Sequence, residues 1–248
     1  MRTCWCAVSA RRALPPAFRR RRGDGSSAAA IVAGVLLADA ALELNLTRQQ
    51  VVEIATAIEG HPDNVAPAVY GGAVLSVRTS TGGGLVSTSL NVAADIELLI
   101  AVPPFPSDTK AARALLPKML PHADAVLAAS RAAALVQGLA TGDGALLSAA
   151  LDDVLHVPFR RARIPGYDAV VAAAQNAGAF GATLSGAGSA ILAIAPGQQS
   201  AAVGAAMIAA WRDNGVEAEV ITCTSNVAGA SVIAAPRTTH HAPLTTHQ

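Results

Sequence analysis

The sequence predicts an α+β protein in two layered units, with the change between them near Asn91. Three observations carry this. First, the 248 residues are 52% hydrophobic, 14% charged and 3% aromatic, enough apolar content for a real core and too much for a disordered chain. Second, stretches of helical apolar spacing alternate with short apolar runs of strand length. Third, glycine and proline break even the long uncharged stretch from Ala169 to Trp211 into short elements, so no run of about 20 apolar residues offers a membrane span.

Residues 1–22 read as irregular. They hold seven arginines and no acid, while the remaining residues hold 11 basic and 17 acidic side chains, a net charge of −6. An acidic body argues against a nucleic-acid-binding domain, which needs a basic face; the arginine run could touch an anionic surface or a nucleic acid, and a solvated start is the favoured reading. Gly23-Asp24-Gly25-Ser26-Ser27 is a turn before a helix at about Ala28–Leu44, with Ile31, Val35 and Leu42 on one face. Thr47 caps a helix from Arg48 to Glu59, and Gly60 ends it in the left-handed position. His61–Asn64 is a loop, Pro67–Tyr70 a helical turn, and Ala73–Val77 and Leu85–Leu90 a hairpin across a turn at Thr79–Gly84. Asp95–Val102 is a buried strand. Helices follow at Thr109–Leu116, Ala123–Leu139, Gly144–Asp152 and Tyr167–Ala177. Ala182–Leu184 and Ala190–Ala195 are short strands around a Gly/Ser turn, Gln198–Asn214 is a helix, Glu217–Cys223 a strand and Val227–Ala234 a closing strand. A disordered tail is expected over 236–248. Three scattered cysteines, Cys4, Cys6 and Cys223, offer neither a disulfide scaffold nor a zinc pattern, and suit a reducing cytoplasm.

Two segments suggest chemistry. Gly23–Ala28 opens a long apolar helix. Glycines there let backbone N–H groups approach an anion, the helix dipole adds partial positive charge, and two serine hydroxyls offer a donor and a magnesium ligand. A serine N-cap is the plainer account of the same residues. The letters also fit the Gly-x-Gly-x-x-Ala of dinucleotide-binding folds, but that pattern requires a preceding strand where this chain has an arginine-rich stretch with two prolines. The second segment, Glu59-Gly60-His61-Pro62-Asp63-Asn64-Val65-Ala66-Pro67 followed by Gly71-Gly72, packs four hydrogen-bonding side chains into six residues after a helix. Capping of the next turn by Asp63 and Asn64 is the alternative to a binding site.

In order, these segments resemble the homoserine kinases of the GHMP small-molecule kinase superfamily. Gly23–Ala28 is similar to the family's phosphate loop, Glu59–Pro67 to its signature, and Gly181-Ala182-Thr183-Leu184-Ser185-Gly186-Ala187-Gly188-Ser189 to its C-terminal Gly-rich motif. Asp108–Pro117 and Pro158-Phe159-Arg160 also resemble it. The resemblance runs from about Gly23 to Ala235. It implies a GHMP-like architecture: an incomplete βαβ-type ATP-binding domain over 23–91 and a ferredoxin-like domain over 92–235, with helices on one face of an antiparallel sheet.

The resemblance further implies ATP-dependent phosphorylation of the L-homoserine hydroxyl in threonine synthesis. Gly23, Gly25, Ser26, Ser27 and Ala28 would cradle the triphosphate, with Ser185, Gly186 and Gly188 in a tight turn behind them. Ser27 and Glu59 would hold Mg2+; Glu53, mid-helix, reads as solvent-facing. His61 and Asn64 would meet the amino acid's polar groups, and Arg113 and Arg160 would fork onto its carboxylate. No nucleic acid or membrane is an expected partner; a homodimer is the assembly considered. Asp24 and Ser189 depart from the family's Leu and Pro. Residues 1–22 resemble none of the family's preceding segment, so a truncated or frame-shifted product with impaired turnover is expected. The competing readings are a GHMP kinase for another small alcohol, such as mevalonate or a sugar, and a non-catalytic remnant. The arginine pair argues against the other alcohols.

Overall fold

The computed structural model describes residues 7–8, 25–79, 83–105, 109–223 and 227–233. The expectations for Gly23, Asp24, the hairpin tip at 80–82 and the tail from 236 lie outside these residues.

The first unit packs three helices on a small sheet. α1 spans Ser26–Leu42, α2 Arg48–Glu59 and α3 Val65–Tyr70. α1 is almost uniformly apolar, so its sequence marks its phase weakly, and contact with α2 and α3 decides it. Ala28 and Val32 go fully inside, beside Val51, Val52, Ala55, Val65 and Val69. Ile31 and Val35 pack partly against this core, but Leu42 does not join them and is 67% exposed. It is the last residue of α1, and the chain turns away at Glu43 and Asn45, both at positive φ.

α2 begins as the sequence predicts. The Thr47 hydroxyl accepts from Gln50 N–H at 3.3 Å, and the Gln50 side chain accepts from Thr47 N–H at 2.8 Å, a reciprocal capping box. Replacing Thr47 by alanine should cost about 1 kcal/mol of stability in denaturant unfolding. An unchanged unfolding midpoint would show that the cap adds nothing.

β2 (Ala73–Arg78) and β3 (Leu85–Leu90) form the antiparallel hairpin, with Val77 opposite Val86. β1 (Ala7–Val8) pairs antiparallel with β2, Ala7 opposite Val74. Part of the segment read as irregular is thus a strand.

The second unit is a four-stranded antiparallel sheet in the order β5-β6-β4-β7, made of β4 (Ile96–Val102), β5 (Gly181–Leu184), β6 (Ile191–Pro196) and β7 (Glu219–Cys223). This is the ferredoxin-like strand order, with the first and third strands in the centre. Helices cover both faces, not one. α8 (Tyr167–Asn176) and α9 (Ser200–Asp213) pack Val170, Met207 and Trp211 on Leu99, Ile191 and Ala193. α5 (His122–Thr141) and α6 (Gly144–Leu151) pack Leu139 and Leu147 on the opposite face, against Ile96, Leu98 and Ile194. Double coverage explains why β4 reads as a nearly continuous apolar run. α4 (Thr109–Ala114) and α7 (Val157–Arg160) are short helices in the connection from β4 to β5.

Residues 227–233 form no strand, against expectation. They run back to the first unit, where Ala230 N–H donates to Ala68 O at 2.9 Å. The chains cross at two glycines: a Cβ on Gly71 would lie 2.1 Å from Val227 O, and one on Gly229 2.0 Å from Val69 O. Backbone approach this close requires both methyl groups to be missing. Among the described residues, no helix is long and apolar enough to cross a membrane.

Candidate active site

The site grows from the start of α1. Gly25, at φ 75°, precedes the helix, and the first intrahelical bond runs from Ala29 N–H to Gly25 O at 2.9 Å. Residues 26–28 therefore present main-chain N–H groups at a positive dipole end. Ala28 contributes only backbone, because its methyl is fully buried in the core. A Cβ on Gly25 would lie 3.2 Å from Asn64 Cγ, so the Asn64 side chain stands directly against the loop. Ser27 Oγ donates to Glu59 Oε2 at 2.8 Å. Glu59 is the last residue of α2, and Gly60, at φ 91°, turns the chain so that the following loop faces the start of α1. Glu53 lies on the exposed face of α2 and accepts from Gln49 instead.

His61 Nδ1 is hydrogen-bonded to Asp63 Oδ1, and Asp63 also accepts from Asn64 N–H at 2.9 Å. Asp63 thus orders the loop. The His61 pKa is raised above 6.5, chiefly by the Asp63 hydrogen bond and against burial; the Asp63 and Glu59 charges raise it further and the Arg113 charge lowers it. A histidine raised in this way stabilises the fold fully below about pH 6.5, and that contribution is lost as pH rises through the folded value. The stability advantage over a His61→Asn variant should accordingly be greatest near pH 6 and shrink toward pH 9. A constant difference in denaturant titrations would mean that the pair carries no charge.

Arg113 belongs to α4 and is exposed, yet its charge reaches both His61 and Arg160. Arg160 ends α7 and is only 6% exposed. Its Nε donates to Ala112 O at 3.1 Å, and one terminal nitrogen to Gly186 O at 3.3 Å. It therefore bridges the helix that carries Arg113 and the Gly-rich turn. Burial lowers its pKa, the Asp153 charge offsets part of this, and Arg113 adds to it. The turn closes through Ser185 N–H to Ala190 O and Gly188 N–H to Ser185 O, with Gly186 and Gly188 at positive φ. Ser189 Oγ donates to Phe105 O at 3.0 Å.

The structure thus joins Gly25, Ser27, Glu59 and Asn64 in one group and Arg113, Arg160 and Gly186 in a second, with His61 between them electrostatically. Sequence reasoning missed Asp153 and His156, which hold α7. The signal was local: an Asp shortly before a Pro-containing turn is an Asx-turn pattern, its carboxylate accepting from the N–H groups of Leu155, His156 and Val157. Arg161 pairs with Asp168 at 3.2 Å and is half exposed.

A two-unit α+β fold with a helix start on one unit and two neighbouring arginines on the other is consistent with the GHMP small-molecule kinases. The family models agree: GHMP kinases N terminal domain matches residues 11–72, and GHMP kinases C terminal matches residues 132–214. The first match starts at residue 11, so part of the arginine-rich segment is itself family-like, against the expectation for residues 1–22. Homoserine kinase from Nostoc punctiforme is 44% identical over 84% of this chain and 68% of its own length. That from Trichormus variabilis is 45% identical over 85% and 69%. The crystal structure of homoserine kinase from Cytophaga hutchinsonii superposes with a TM-score of 0.78 at 33% identity, covering 90% of this chain and 70% of that one. The chain belongs to the homoserine kinase family.

Proposed function

We propose that the chain transfers the terminal phosphoryl group of ATP to the hydroxyl of L-homoserine, in threonine synthesis in the cytoplasm. The bond from the homoserine oxygen to phosphorus forms as the bond to the ADP leaving group breaks. Such transfer asks mainly for positioning and charge stabilisation. The observation that carries the reading is Arg160, held by backbone carbonyls beside the helix that bears Arg113, across from a helix start where Ser27 meets Glu59.

The main-chain N–H groups at the start of α1, with Gly25 and Ser26, would cradle the triphosphate. Ser27 and Glu59 bring two oxygen donors together and fit a hard cation such as Mg2+. Bound there, the ion would offset phosphate charge. Arg113 and Arg160 would fork onto the α-carboxylate, while His61 and Asn64 would meet the remaining polar groups. Residues 23–91 would form the ATP-binding domain and residues 92–235 its partner. The test is a kinase assay with L-homoserine beside mevalonate and galactose, read by phosphorus NMR. Phosphorylation of homoserine alone is expected. Transfer to mevalonate or galactose, or ATP hydrolysis without an alcohol product, would overturn the proposal.

A further inference from the structure

Arg160 sits at the end of a four-residue helix with Pro158 at its second position. So short a piece has too few internal bonds to hold itself in place. Asp153 supplies them from outside. Its carboxylate accepts from the N–H of Leu155 at 2.6 Å, of His156 at 3.2 Å and of Val157 at 3.1 Å. The His156 ring approaches the same carboxylate, with Nδ1 3.3 Å from Oδ2. Both side chains are largely buried, 14% exposed for Asp153 and 11% for His156.

The other end of the segment holds a nearly buried cation. Ala112 O and Gly186 O satisfy two of its donors but carry no full charge. A buried guanidinium needs a counter-charge, and Arg113 brings the opposite of one. The carboxylate whose field reaches Arg160 is Asp153.

We infer that Asp153, oriented by His156, is a positioning residue for carboxylate recognition. It fixes α7 and keeps Arg160 in its binding pose before the substrate arrives. This rests on the assignment of Arg160 to the homoserine carboxylate. A purely structural role for Asp153 would weaken the use of any alcohol substrate alike, whereas positioning of Arg160 bears only on one that carries a carboxylate. Asparagine removes the charge and keeps one acceptor oxygen for the Leu155 and His156 N–H groups, but loses the second acceptor that Val157 N–H uses.

The experiment uses the full chain with ATP and two competing alcohols: L-homoserine, and 3-aminopropan-1-ol, which lacks the carboxylate. In Asp153→Asn the KM for homoserine should rise roughly tenfold or more, with kcat and the KM for ATP nearly unchanged. Aminopropanol, followed as substrate or as competitive inhibitor, should not distinguish the variant from the parent. His156→Ala should shift the homoserine KM in the same direction, and it decides the matter if Asp153→Asn does not fold. An unchanged homoserine KM, or equal losses for the two alcohols, overturns the inference and leaves the kinase reading standing. A parent chain that does not use homoserine, or an Arg160→Ala variant with unchanged homoserine KM, overturns that reading and this inference with it.

Discussion

If Arg113 grips the carboxylate as proposed, Arg113→Ala should weaken L-homoserine binding by about 2–3 kcal/mol, roughly 30- to 140-fold in Kd at 1.4 kcal/mol per tenfold. ATP binding should change by less than twofold, because the proposed phosphate cradle is built from α1 and the loop after α2. Arg113 is the better probe of the pair, since it is exposed in α4 and its removal leaves the fold intact. Arg160→Ala would also strand the carbonyls of Ala112 and Gly186, and so mixes lost binding with lost structure. Calorimetric titration of homoserine into the Arg113 variant, with ATP titrated separately, checks this. Homoserine affinity equal to that of the parent would remove Arg113 from the substrate site.

The second large effect is expected at Glu59. Glu59→Gln keeps a partner for the Ser27 hydroxyl but removes the negative charge beside it. Phosphoryl transfer should fall by roughly 10²-fold, and the magnesium concentration needed for half-maximal rate should rise. The readout is a magnesium titration at saturating ATP and homoserine. If the magnesium dependence matched that of the parent, Glu59 would be a hydrogen-bond acceptor for Ser27 and nothing more.

What could be read ahead of the structure was what depends on neighbours in the chain. Thr47 and Gln50 cap each other three residues apart, and Gly60 turns the chain immediately after Glu59. Such features need no tertiary information. The site segment from Glu59 to Asn64 was legible for the same reason, and its loop does face the start of α1. The failures are non-local. The alanine-rich α5 and α6 carry only a faint apolar stripe, so nothing in their pattern announced a second covered face on the sheet. Val227–Ala234 has the residues of a strand, but its bonding partner is the Ala68 carbonyl, far back in sequence. Arg160 was legible as a motif. The carboxylate behind it went unread although its turn is local; its burial and its charge beside Arg160 come only with the fold.

The glycine crossing at Gly71 and Gly229 bears on how the two units can move. The chain leaves the first unit once, at residues 91–95 between β3 and β4, and comes back to it at 227–230. The ferredoxin-like unit is therefore tethered at both ends, as an inserted module would be. One tether would leave a ball joint, free to swivel in any direction. Two tethers leave fewer directions of relative rotation than one. That constraint suits a transfer whose attacking oxygen, phosphorus and leaving oxygen must fall in line.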